Sequence, residues 1–110
     1  MALVEQWRRI EAGLPEDWAD ARLELTIGDE ARSDRAAVLL APLNPGRFGK
    51  RIRFYTARSG AGPAPQAVAR LLARLDENGI PGDVRILRVL SDTDPVATQG
   101  PVWYVGGKAV

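Results

Sequence analysis

Two short stretches of this chain alternate in hydropathy with a period of two, and they limit its fold more than any other feature. In Arg22-Leu23-Glu24-Leu25-Thr26-Ile27, the residues Leu23, Leu25 and Ile27 share one side and Arg22, Glu24 and Thr26 the other. Residues 50–57 repeat the pattern, with Ile52, Phe54 and Thr56 opposed to Arg51, Arg53 and Tyr55. Side chains alternate across a strand, so each stretch is a strand with one apolar and one polar face. Strands buried on both faces would read as unbroken apolar runs, so the alternation predicts a sheet covered on one face only.

Helical periodicity fills the intervals. Leu3, Trp7, Ile10 and Leu14 form one stripe, closed by Gly13 and Pro15. Pro15 suits the first position of a second short helix, with Glu16 and Asp17 in its first turn and Trp18 as its anchor. Asp29 is an N-cap for a helix to about Ala41, in which Ala36, Leu39, Leu40 and Leu43 recur at helical spacing and Pro42 ends the run. Residues 36–40 also read as a buried strand, and both alternatives stay open. Asn44-Pro45-Gly46-Arg47-Phe48-Gly49 is punctuated as a loop. Val68, Leu71, Leu72 and Leu75 mark a helix over about 64–78, stopped by Asn78-Gly79. Val84 to Leu90 reads as a buried strand and Val102 to Val105 as a short last one, beyond a polar loop at 91–101.

Strands joined through helices of this length are ordinarily parallel, with right-handed crossovers. The expected architecture is therefore an α/β two-layer sandwich in one domain, residues 1–110. It has a three- to four-stranded, mostly parallel sheet, crossover helices on one face, and one or two extra N-terminal helices at an edge or over the open face.

Composition removes several chemistries. The chain has no cysteine and no histidine, which excludes disulfides, thiol nucleophiles, imidazole bases and the usual zinc ligands. No catalytic residue, metal site or cofactor site is assigned. The Walker pattern fails at Gly49-Lys50-Arg51 and at Gly107-Lys108-Ala109, where no Ser or Thr follows the lysine. Ser59-Gly60-Ala61-Gly62-Pro63-Ala64-Pro65 places Pro65 where a dinucleotide fingerprint needs a small residue, so it reads as turn chemistry. Asp92 and Asp94 lack the third acid and the glycine of a calcium loop. Trp7, Trp18 and Trp103 read as core.

The net charge of +1 conceals an uneven layout. Residues 44–74 contain Arg47, Lys50, Arg51, Arg53, Arg58, Arg70 and Arg74 and no acid. Thirteen arginines against two lysines, with abundant Ala, Gly and Pro, also fit a high-GC bacterial genome, so the arginine excess need not reflect phosphate binding. Within the basic stretch, Arg51-Ile52-Arg53-Phe54-Tyr55 resembles the aromatic-basic strand of an RNA-recognition domain. It lacks that signature's Gly-aromatic opening and the two-helix topology that goes with it.

The stretch Leu14-Pro15-Glu16-Asp17-Trp18-Ala19-Asp20-Ala21-Arg22-Leu23-Glu24-Leu25 resembles the opening of a group of small proteins from high-GC bacteria to which no function is attached. They similarly continue with an Asn-Pro-Gly-Arg-like loop, a Phe-Tyr strand and a Leu-rich helix ending in Leu-Asp. The resemblance covers residues 1–90 and implies no site.

The function expected from these features is a non-enzymatic cytoplasmic interaction or scaffold module, with a protein partner or a second copy favoured over nucleic acid. The nucleic-acid alternative would use the basic segment 44–74. Either partner would meet Arg47, Lys50, Arg51, Arg53, Tyr55 and Arg58. No apolar run approaches membrane-spanning length and the N-terminus lacks a signal-peptide pattern.

Overall fold

The computed structural model describes residues 1–60, 62–91, 104–105 and 108–109. Helix α1 covers Leu3–Ala12 and strand β1 Trp18–Ile27. Helix α2 covers Glu30–Leu39 and runs into a 3-10 turn at Ala41–Leu43. Strands β2 (Gly46–Phe48) and β3 (Arg51–Ala57) follow, then helix α3 (Pro65–Glu77) and strand β4 (Gly82–Ser91). The two-residue strands β5 (Tyr104–Val105) and β6 (Lys108–Ala109) pair with each other. Asp92, Asp94 and Trp103 lie outside the described residues, so the readings made for them are not addressed.

The sheet has the order β2-β3-β1-β4, and every neighbouring pair is antiparallel. The mostly parallel sheet expected from the sequence is thus corrected. The reason lies in β2, which the sequence presents as a loop. Gly46–Phe48 pairs with β3 through a hairpin whose two-residue turn is Gly49-Lys50, and Gly49 has the positive φ of 63° that such turns favour. That hairpin reverses the chain once more before β3. Strands linked by a helix still run in the same direction, β1 with β2 and β3 with β4, but another strand is inserted between the members of each pair. Two interlocked split βαβ units result, in the β-α-β-β-α-β order of the ferredoxin-like arrangement, with α1 added in front.

All three helices share one face of this sheet. Leu3 and Trp7 of α1, Ala36 and Leu40 at α2, and Val68, Leu72 and Leu75 of α3 join Leu23, Leu25, Ile27, Ile52 and Phe54 in a single buried cluster. Residues 36–39 are helical, which resolves the ambiguity left by their apolar run. Asp29 caps α2 by accepting the Arg32 N–H at 2.8 Å. The expected second N-terminal helix does not form. Residues 15–18 make a single turn, closed by Trp18 N–H to the Pro15 carbonyl at 3.1 Å, and Trp18 already opens β1.

Helix α1 is held from a distance. The Asp76 carboxylate, at the end of α3, accepts the backbone N–H groups of Leu3 at 2.8 Å and Val4 at 3.0 Å. These are two of the N–H groups that a helix start leaves without intrahelical partners. Gln6 reaches the outer strand β4, donating to the Gly82 carbonyl at 2.9 Å and accepting from the Val84 N–H at 2.7 Å. One side-chain amide thereby satisfies backbone groups that an edge strand would otherwise present to other chains.

Candidate functional site

The face away from the helices carries the polar alternates, and strand register sets them in three rows. Phe48, Arg51, Thr26 and Asp83 stand side by side across β2, β3, β1 and β4. The next row is Gly46, Arg53, Glu24 and Arg85, and the third holds Tyr55, Arg22 and Arg88. A bulge leaves Leu87 without a partner on β1, between Ile86 and Arg88. At and beyond the bulge Leu87, Arg88 and Leu90 are buried, so the open part of the face lies over β2, β3, the adjoining half of β1 and the start of β4, where Asp83 and Arg85 are exposed.

A Cβ on Gly46 would lie 3.4 Å from the Phe48 ring, which shows that the ring leans back over the strand toward the middle row. The Arg53 guanidinium sits 4.9 Å from the centre of the Phe48 ring, and that of Arg22 sits 4.5 Å from the centre of Tyr55. Both separations are within cation–π range. Phe48 is 58% exposed, an apolar ring on an otherwise polar face. Between the two ring–guanidinium pairs lies a groove of about 240 Å³ lined by Arg22, Asn44, Gly46, Phe48, Arg53, Phe54 and Tyr55.

Under the arginines sits Glu24, 1% exposed although it points to the solvent side of the sheet. Its two oxygens accept from Arg53 Nε at 3.1 Å and from Arg85 Nε at 2.9 Å, with Arg85 Nη2 at 2.8 Å. Burial alone raises its carboxyl pKa. The hydrogen bonds from Arg53 and Arg85, and their charges, outweigh that effect and hold it below the ordinary value.

Of the six residues singled out in the sequence, Arg51, Arg53 and Tyr55 do share the open face. The other three are placed elsewhere. Arg47 stands opposite Ile52, on the helix side, where it pairs with Asp34 and donates to the Gly49 carbonyl at 3.0 Å. Arg58 donates to the carbonyls of Glu16 and Trp18 and lies 5.3 Å from the Trp18 ring centre, fastening the turn before β1. Lys50 belongs to the hairpin turn, and its carbonyl accepts the Ile27 N–H. The Gly- and Pro-rich stretch before α3 folds onto β3, where the Pro63 carbonyl accepts Ala57 N–H and Thr56 Oγ1, each at 2.9 Å.

Phe48, Arg85 and the place of Arg22 in the groove were not recognised from sequence. Phe48 is two residues from Gly46, on the same face of β2, and only the hairpin reveals that face. Among the described residues no carboxylate lines the groove, and no three acids come together as a metal site. The lining supplies rings, guanidinium donors, one amide and one phenol, a set suited to holding a planar, electron-rich group. Comparison with family models, curated proteins and solved structures finds no match for this chain.

Proposed function

We propose that this protein binds single-stranded nucleic acid on the open face of its sheet, as a non-catalytic module of the cytoplasm. The observation that carries the reading is the pair of ring–guanidinium stacks, Phe48 with Arg53 and Tyr55 with Arg22, flanking a groove on an exposed antiparallel sheet. Unstacked bases are taken up by aromatic faces and guanidinium planes, and a four-stranded sheet with exposed rings is one platform that RNA-binding domains use. The split βαβ topology supplies the two-helix frame that the Arg51–Tyr55 strand lacked under the parallel-sheet expectation. Fold alone does not carry function, so the weight rests on the side chains.

A protein partner, including a second copy of the chain, is the second reading, and Glu24 favours it. By pairing with Arg53 and Arg85 it neutralises part of the charge a phosphate chain would meet. Exposed Phe, Tyr and Arg are also the types concentrated at protein interfaces.

Fluorescence anisotropy with labelled ten-nucleotide RNA at several salt concentrations, run beside sedimentation, separates the two. Log affinity should fall with log salt, at a slope of about −0.7 for each phosphate that Arg51 or another exposed cation of this face neutralises. Phe48→Ala should weaken binding by roughly 1–3 kcal/mol while leaving the melting temperature unchanged. Absence of binding at low salt, together with a dimer that Phe48→Ala dissociates, would overturn this reading in favour of the second.

A further inference from the structure

We propose that the bound strand does not end in the groove between Phe48 and Tyr55. It continues past Asn44 into a second groove at the rim of the sheet, and the Asn44 carboxamide hydrogen-bonds it where it crosses. This rests on the nucleic-acid reading above and adds the path of the ligand and a residue that holds it. The second groove, of about 320 Å³, is lined by Pro42, Leu43, Asn44, Tyr55, Gly62 and Pro63. Asn44 and Tyr55 line the first groove as well, so the two hollows adjoin along these residues. Among the described residues no charged side chain lines the second one. Prolines, a tyrosine and an amide suit a base there, since phosphates are held chiefly by cations and backbone N–H groups. A Cβ on Gly62 would lie 2.8 Å from the Tyr55 ring and 2.9 Å from the Ala57 Cβ, so it is glycine that lets this wall close against Tyr55.

Asn44 ends the 3-10 turn with φ 51° and ψ 56°, in the left-handed region. Glycine enters that region most freely, and asparagine is among the few other residues that tolerate it. The backbone would therefore be served by glycine. Asparagine adds a carboxamide with two donor hydrogens and an acceptor oxygen. Asn44 is exposed, and among the described residues its carboxamide makes no hydrogen bond. Arg22 and Arg53, by contrast, are already engaged with Tyr55, Phe48 and Glu24. A neutral group that both donates and accepts, at the junction of two grooves, can meet any of the base edges a strand presents.

The test is anisotropy with labelled ten-nucleotide oligouridylate and the full chain. Asn44→Gly keeps the left-handed turn and removes only the amide. It should weaken binding about three- to tenfold, as the loss of a hydrogen bond implies, with a melting curve close to the parent's. Pro42→Glu puts a negative charge on an exposed residue of the second groove and should weaken binding about threefold. Ala31→Glu places the same charge on exposed α2, on the helix side, and should change affinity by less than about 1.5-fold. Should Asn44→Gly lower the melting temperature, the pair of glutamate variants decides. Asn44→Gly within about twofold of the parent, or Pro42→Glu no weaker than Ala31→Glu, would overturn the path. The nucleic-acid reading would still stand if the parent binds and Phe48→Ala impairs it. Failure of the parent to bind at low salt would overturn the two proposals together.

Discussion

Replacing Glu24 by Gln tests whether one carboxylate holds the open face together. In the parent protein its oxygens take hydrogen bonds from Arg53 Nε and Arg85 Nε, with Arg85 Nη2 at 2.8 Å. Glutamine retains one carbonyl acceptor and turns the other position into an NH2 group that faces a guanidinium. Removing one partner of a fully buried ion pair costs about 3–5 kcal/mol, and a hydrogen bond to a charged group contributes about 1.5–3 kcal/mol. The larger figure needs discounting, because the Arg85 side chain is 57% exposed and Arg53 27%, so both can rehydrate. The net loss should be about 1–3 kcal/mol at pH 7. With a urea slope of about 1–3 kcal/mol/M, the midpoint falls by about 1 M. Acid supplies the control. The folded-state carboxyl titrates below its ordinary value, so its contribution is complete above the unfolded-state pKa and disappears as pH falls through the folded one. The difference between parent and Glu24→Gln should therefore shrink as pH falls below the ordinary carboxyl value of 4.5 into acid. A variant as stable as the parent at pH 7, or a gap that stays constant into acid, would refute the account of Glu24 as an ionised keystone.

Leu72, wholly buried in the stripe of α3, should cost about 2–5 kcal/mol when cut to Ala, and a denaturant midpoint equal to the parent's would show that α3 buries another face. Asp76→Ala removes the acceptor for Leu3 and Val4 N–H at the start of α1, and should cost about 0.5–2 kcal/mol. Hydrogen exchange should then accelerate at those two amides more than in β1, and uniform acceleration would contradict a local role.

What could be read in the chain, and what could not, follows the range of the interactions responsible. The stripes Leu3-Trp7-Ile10 and Val68-Leu72-Leu75, the alternation in β1 and β3, and the Asp29 cap all depend on neighbours within a turn or a strand, and the structure places them as read. Strand β2 does not announce itself in this way. Gly46-Arg47-Phe48 follows Asn-Pro, is exposed throughout, and extends only because β3 offers it a partner. Missing three residues changed the strand count between two helices, and with it the direction assigned to the sheet. The site was legible to the same extent. Alternation alone puts Arg51, Arg53 and Tyr55 on the open face. Arg47 and Arg58 lie where the charge run continues but the strand does not carry it, and tertiary partners draw both away. Arg85 escaped notice because Val84 to Leu90 is nearly continuous in apolar residues and a bulge shifts its register partway along.

The fastening of α1 has a consequence for the order in which this protein can assemble. Leu3 is separated from its acceptor Asp76 by 73 residues and Gln6 from Val84 by 78. At a synthesis rate of about 5–20 residues per second, the first helix waits roughly 4–15 s before its anchor has been made. Until α3 and β4 are made, Leu3 and Trp7, among the fully buried side chains of the finished molecule, lack the elements that α1 packs against. Until then the apolar stripe of α1 is available to chaperones or to neighbouring nascent chains.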